Sequence, residues 1–503
     1  MTSWLVYPSS PSGNSRCIEL AGTDLWICAR IDLAFVYPSA LDVDRFKEAL
    51  SRTLSLWPLV CGRFLVVENG QYFIEMSDNP IPMNYTENNE LTKWPNDLNI
   101  VLQLNKNPLT EFIDEVQTIK LVSDSLEEPL VYFKLTCIVQ SGEWVLGISW
   151  EHVLGDAASC LHFLNTLSRI YQHLEPPEPS PVFERRLWRQ DEADQTLLPI
   201  MKQLRDALSL KNMLKNFMSI QNMYDQVNLH FSGEQLDTIR ELAGGNIVTI
   251  QDSLTAYIIV TLNTYCYRND DGHLILRTNT TVNYRGVLDS IAPVGQVSNA
   301  IFMMLSNNFE NPFSLTNVAK AIRSSIIRSR DPKFLESWLA TADGLMKNIT
   351  RENLTPNVGY FANEVTVNSN LRYDWVDLVD FVFLAEHCHA IKGKKSQQAG
   401  NKRGCLSLGA VCNSHTDCCG HDDPESGHCI LCTGILPGLF GVGSRTCGCS
   451  KFSVAGSRDT GTLTDICDGK DRSGSRVCRT RVAPPGHMYY RGDDFYYGRG
   501  KKP

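Results

Sequence analysis

Residues 128–174 read EPLVYFKLTCIVQSGEWVLGISWEHVLGDAASCLHFLNTLSRIYQHL. Two runs rich in β-branched and aromatic residues, Glu128–Val139 and Glu143–Val153, bracket the turn QSGE as the strands of a hairpin do. From Ala157 the pattern changes, and Leu161, Leu164, Leu167 and Tyr171 recur at helical spacing. His152 and Asp156 stand between strand and helix, four apart, with Gly155 between them and small residues following. A histidine titrates near working pH and serves as a general base when a rigid element aims one ring nitrogen at a cleft. A strand end followed by glycine offers that place. Spacing alone leaves Asp156 with three readings: it orients the imidazole, it pairs with an arginine and braces the loop, or it caps the helix. No nucleophilic-serine motif or metal-ligand cluster stands beside the pair, so no metal is expected.

Upstream, DLWICARIDLAFVY (24–37) reads as a strand region. DVDRFKEALSRTL (42–54) reads as a helix whose Val43, Phe46, Leu50 and Leu54 face that strand. WPLVCGRF (57–64) turns the chain through Pro58 and Gly62 into another strand. Downstream, the proline-rich EPPEPSP (175–181) closes a first domain, and a helical segment around 196–222 is expected to cross to a second. There NLHFSGEQLDTIREL and TIQDSLTAYIIVTLNTY read as strand and helix units, and HLILRTNTTVNYRG as a strand. Strands alternating with helices in two halves imply an α/β protein with mixed sheets.

At 503 residues the chain is too long for one core. A formal net charge of −9 argues against a nucleic-acid partner. No apolar run reaches the length of a membrane span. Residues 1–13 carry neither a basic start nor an apolar stretch of the secretory kind, so the cytosol is the expected compartment and a monomer the expected state. Charge and cysteine divide the chain. Residues 390–503 hold 17 Lys+Arg against 10 Asp+Glu, a net +7, which leaves −16 for the rest. Ten of the 17 cysteines lie between Cys405 and Cys478; the other seven are scattered singly, as buried thiols of a reduced protein are.

Several segments together resemble the fungal-type branch of the BAHD-like acyl-CoA-dependent acyltransferases, over about residues 15–381. EHVLGDAAS is similar to their HxxxD motif and LWPLVCGRF to their PLAGR-type segment. VTIQDSLTAYIIV resembles the opening of their second-domain helix, TVNYRG the strand that carries an arginine, and PVGQVSNAIF the PxxYxGNA-type segment. NSNLRYDWVDLVDF resembles the approach to their DFGWG motif. The resemblance implies two chloramphenicol-acetyltransferase-like domains with a channel between them. It also implies acyl-CoA as co-substrate with no permanently bound cofactor, and a small-molecule alcohol or amine as acceptor. It makes His152 the general base and Asp156 a structural residue paired with Arg285, and it points to Asn368 and Ser369 as positions for oxyanion or substrate contacts. Asp380 and Phe381 stand where DFGWG begins, but Val382 replaces its glycine, and FLAEHCHAIKGKK no longer resembles the family. Ser298 stands where glycine is more frequent. These departures leave a catalytically impaired relative as the alternative.

The implied domains are 1–182, carrying HxxxD; a crossover, 183–222; a second, shortened domain, 223–383; a basic linker, 384–404; a cysteine-rich module, 405–480; and a disordered polar tail, 481–503. The module opens with GCLSLGAVCNSHTDCCG, which resembles inhibitor-cystine-knot peptides. So many cysteines among Gly and Ser require cross-links for stability; zinc at Cys429, Cys432, Cys447 and Cys449 is the rival reading. A disulfide module suits a secretory compartment, whereas a CoA-dependent enzyme needs reduced surroundings. The two parts therefore read either as joined genes or as a true fusion, and the tail by itself as a secreted binding or toxin-like module.

Overall fold

The two strands of the opening stretch pair antiparallel, with Ile138 opposite Glu143 and Val131 opposite Trp150. In this computed structural model the described residues are 1–381 except 13–15, 26–28, 68–70, 95–110, 124–126, 210, 214, 217–228, 268–272, 358–360 and 362; beyond 381 they are five short strands. The chain divides into two units, Met1–Leu384 and Ala385–Pro503.

The main sheet of the first unit has the order β1 (Thr2–Val6), β6 (Ile81–Asn88), β7 (Val131–Ile138), β8 (Glu143–Glu151), β3 (Arg30–Tyr37). The pair β6–β7 is parallel and the other pairs are antiparallel, so the sheet is mixed. A smaller sheet joins β2 (Cys17–Glu19), β5 (Tyr72–Glu75) and β4 (Arg63–Val66). Alternation along β8 sends Leu146, Ile148 and Trp150 to one face, into the main core. Helices α1 (Val43–Leu56) and α2 (Ala157–Tyr171) contribute Phe46, Leu50, Leu54, Phe163 and Leu167 to that core. Each such side chain, once fully buried, contributes roughly 1.5–3 kcal/mol. Gly147, Ser149 and Glu151 occupy the other face, beneath the segment that begins near Phe112. A β-carbon on Gly147 would lie 1.7 Å from the Phe112 carbonyl oxygen, so only glycine admits that segment.

The second half builds a mixed three-stranded sheet. Strand β10 (Arg277–Asn283) lies between β11 (Ile301–Leu305), antiparallel, and β13 (Glu364–Val367), parallel. Helices α3 (Gly233–Ala243), α4 (Ile250–Tyr265) and α5 (Leu315–Ser329) enclose a separate small core that includes Ala256, Ile259 and Ile322. Helix α6 (Pro332–Arg351) packs Trp338 against Phe302 of β11, ring centroids 4.7 Å apart. The fold is mixed α/β.

Several expectations change. Among the described residues of 24–37 the strand is Arg30–Tyr37; Gly22–Leu25 form a 3-10 turn, and the Asp24 carboxylate accepts the NH of Ala21 just before it. Residues 2–6, which carry no strong alternation, form β1 because β6 offers its edge. The helix expected around 196–222 is broken, among the described residues, into a 3-10 stretch, Gln195–Ile200, a one-turn helix, Lys202–Arg205, and β9 (Leu208–Ser209), which pairs with β12 (Leu354–Thr355), before helical residues 211–213 and 215–216. Pro199 within that stretch lacks an NH and breaks the helical ladder. NLHF forms no strand among its described residues, 229–231. The scattered cysteines are not uniformly buried: Cys61 and Cys160 are, whereas Cys17 and Cys266 are exposed.

In the second unit β14 (Val411–Cys412), β16 (Arg445–Gly448) and β15 (Leu431–Thr433) form an antiparallel sheet in that order. Strands β17 (Met488–Arg491) and β18 (Asp494–Tyr497) form a hairpin within the polar tail. The basic linker, the replacement at Val382 and most of the cysteine-rich module, with its cross-links or zinc, lie outside the described residues.

Candidate active site

Strand β8 delivers the histidine. The His152 NH donates to the Ala29 carbonyl at 2.9 Å, and the chain then folds into a 3-10 turn, His152–Leu154. Gly155 follows with φ at 152°, where a side chain is strained; a β-carbon there would also lie 2.5 Å from Ser159 Oγ. This tight turn lets Asp156 begin α2 and face the second half.

Asp156 performs two tasks at once. Its Oδ1 accepts the Ala158 and Ser159 NH groups, each at 3.1 Å, which caps the helix. Its Oδ2 accepts Arg285 Nη1 at 2.7 Å, and the two side chains are only 3% and 7% exposed. Arg285 spends its other donors on the Gln296 carbonyl (2.7 Å), Ser159 Oγ (2.8 Å) and the Ser298 carbonyl (2.5 Å). The carbonyl of Ser298 also receives the Asp156 NH at 3.3 Å and Ser159 Oγ at 3.1 Å. Position 298 thus serves through its backbone, which serine supplies as well as glycine does.

Asn299 fixes the protons of the histidine. Its Nδ2 donates to the carbonyls of His152 (2.9 Å) and Asp24 (3.2 Å), groups that can only accept. Its Oδ1 therefore faces His152 Nδ1 at 2.8 Å, and Nδ1 carries the proton. In the neutral ring the lone pair then lies on Nε2, the arrangement a general base needs. Asn299 was visible in the sequence within PVGQVSNAIF, but nothing in its spacing tied it to a residue 147 positions earlier.

The remaining residues fall elsewhere. Ser369 follows β13 and donates its hydroxyl to Gln251 Oε1 at 2.5 Å, beside the start of α4. Asn368 is exposed, and among the described residues no hydrogen bond joins either of them to His152. Asp380 is held on α2: its carbonyl accepts Ser168 Oγ and Gln172 Nε2, both at 2.6 Å. Phe381 is fully buried against Phe46, Tyr171 and Tyr37, at centroid distances of 5.1, 5.4 and 6.0 Å. The end of the second half therefore seals the core of the first.

Two titratable side chains, one just before the histidine turn and one on α2, are shifted by burial. Burial pushes the Glu151 carboxyl up to about 8, although Thr118 Oγ1 donates to it at 2.8 Å. Burial, helped by the Arg285 charge, pushes His162 on α2 down to about 4. Among the described residues no three His, Cys, Asp or Glu side chains converge on a metal position, and no helix is long and apolar enough to cross a membrane.

A search of curated proteins found no match. Among solved structures the chain is similar to vinorine synthase, at 16% identity over 73% of this chain and 82% of that one, with a TM-score of 0.45. It is also similar to TRI101 of F. graminearum complexed with coenzyme A and deoxynivalenol, at 15% identity over 70% and 83%, with a TM-score of 0.48. A third similar structure is the condensation domain of the monacolin K polyketide synthase MokA, at 10% identity over 70% and 78%, with a TM-score of 0.37. The profile of the Transferase family matches residues 1–381, and the chain belongs to that family, the BAHD acyltransferases.

Proposed function

We propose that the protein moves an acyl group from acyl-CoA, its co-substrate, to the hydroxyl or amine of a small hydrophobic acceptor, with His152 as general base. The supporting observation is the grip of Asn299 on Nδ1, which leaves Nε2 free to take a proton. The acceptor O–H or N–H gives its proton to Nε2 as its oxygen or nitrogen attacks the thioester carbonyl carbon. The carbonyl oxygen becomes an oxyanion, which needs donors already in place. Asn368 is the side chain proposed for that task, because the Ser369 proton is directed at Gln251. Collapse re-forms the carbonyl and breaks the C–S bond, and the CoA thiolate takes the proton back from Nε2. Asp156 and Arg285 hold the turn and move no proton. The working unit is proposed to be a cytosolic monomer, its halves 1–182 and 223–383 joined by 183–222.

The test is thiol release from acetyl-CoA by the full-length protein, across a panel of alcohols and amines, beside His152→Ala. Acceptor-dependent release reduced at least about 100-fold by the substitution is expected. Release that the substitution leaves unchanged refutes the role of His152. CoA binding with no transfer to any acceptor favours the impaired enzyme.

A further inference from the structure

The grip on the histidine does not end at Asn299. Asp24 holds Asn299 from behind at two points: its Oδ1 accepts the Asn299 NH at 2.8 Å, and its own carbonyl accepts Nδ2 at 3.2 Å. The second carboxylate oxygen accepts the Ala21 NH and Arg185 Nε, both at 3.1 Å. The Asp24 and Arg185 side chains are 0% and 3% exposed, so this is a dry ion pair. Arg185 then reaches the carbonyl of Phe183 at 2.6 Å and, at 3.5 Å, that of Leu154, which belongs to the His152 turn. Arg185 lies just after the bridge from Val182 to Gln296, and Gln296 Nε2 donates to the Glu184 carbonyl at 2.6 Å. The crossover segment, the first 3-10 turn, the histidine turn and the segment carrying Asn299 just before β11 thus meet on one ion pair.

A buried ion pair is poor value for stability alone, since desolvation of both charges offsets most of their attraction. What this pair does supply is geometry. The carboxylate sets the Asn299 backbone and closes the Ala21–Asp24 turn, which aims the Asp24 carbonyl at Asn299 Nδ2. If that carbonyl shifts, only the His152 carbonyl still holds Nδ2, and the amide turns over more readily to present Nδ2 to the ring, which puts the proton on Nε2 in that fraction of molecules. We propose that the Asp24–Arg185 pair is a positioning device that keeps His152 in its Nδ1–H tautomer through Asn299, so that the crossover segment takes part in preparing the base. This rests on the reading of His152 as the base.

The tautomer is read directly from imidazole nitrogen shifts in the full-length protein labelled with 15N-histidine. The His152 signal is assigned by its loss in His152→Gln. The unsubstituted protein is expected to show protonated Nδ1 and bare Nε2. Asp24→Ala should move both shifts towards a mixture. Asp24→Asn, which keeps an acceptor for the Asn299 NH, should lie between. Kinetically kcat falls roughly 10- to 100-fold in Asp24→Ala, with KM for acetyl-CoA unchanged and partial recovery in Asp24→Asn. If Asp24→Ala does not fold, the isosteric Asp24→Asn carries the comparison. A folded variant with unaltered His152 shifts overturns the proposal and leaves the pair purely structural. Because the shifts need no turnover, shifts that respond to Asp24 in a protein without transferase activity would refute the proposed function and spare the clamp.

Discussion

Replacing Asp156 separates its two tasks. In Asp156→Asn the amide oxygen still caps α2, but the charge facing Arg285 Nη1 at 2.7 Å is gone. In Asp156→Ala the cap goes as well. Two unit charges about 4 Å apart at an effective dielectric of about 20 attract by about 4 kcal/mol. That agrees with the roughly 3–5 kcal/mol lost when one member of a buried pair is removed. An N-cap adds about 1 kcal/mol. Urea unfolding should therefore place Asp156→Asn about 3–5 kcal/mol below the unsubstituted protein and Asp156→Ala about 1 kcal/mol lower still. Arg285→Leu should cost a similar amount. The double variant Asp156→Ala/Arg285→Leu should cost less than the sum of its singles by about 2 kcal/mol, since the second removal no longer strands a charge. Activity gives an independent reading. A residue that only holds the turn leaves folded Asp156→Asn within about tenfold of normal kcat, whereas a triad member would cost about 10⁴-fold. An Asp156→Ala variant destabilised by only about 1 kcal/mol would refute the ion-pair reasoning and leave a simple helix cap. A folded Asp156→Asn variant with kcat down 10⁴-fold would restore the triad.

Glu151 predicts a pH dependence. Its folded carboxyl titrates near 8, well above the ordinary carboxyl value, so between about 4.5 and 8 the folded protein binds a proton that the unfolded chain has lost. Stability should fall as pH rises through that window, by at most about 5 kcal/mol, and Glu151→Gln should flatten the slope of urea midpoints measured at pH 5, 6.5 and 8. Equal slopes in the two proteins would show that Glu151 is solvated. Phe381→Ala opens a cavity beside Phe46, Tyr171 and Tyr37; a loss of about 3–5 kcal/mol is expected in the same unfolding assay. A loss below about 1 kcal/mol would mean that residue 381 does not seal the first core.

Much of the fold was legible because its signals are local. The hairpin at 128–153, α1 and α2 each follow from periodicity within a dozen or so residues, and Asp156 as a cap follows from the helix start beside it. Asp24 and Leu25 were read with the strand because the residues after them have strand-like composition, while the 3-10 turn they end is closed by a carboxylate bond that no apolar pattern encodes. The crossover was read as one continuous helical segment, whereas Pro199 and the pairing of β9 with β12 interrupt it ahead of the helical residues 211–213 and 215–216.

The sequence by itself was sufficient to mark a strand–turn–helix carrying His152 and Asp156, a mixed α/β chain and, through several short motifs in order, an acyltransferase resemblance. Neither the proton on Nδ1 nor the clamp behind it could be read there. Asn299 lies 147 residues from His152, Asp24 is 275 residues from Asn299, and Arg185 is 161 from Asp24. Hydrogen-bond partners are chosen by proximity after the core has closed, and a residue's spacing carries no information about a neighbour that only the folding of other segments brings within 3 Å.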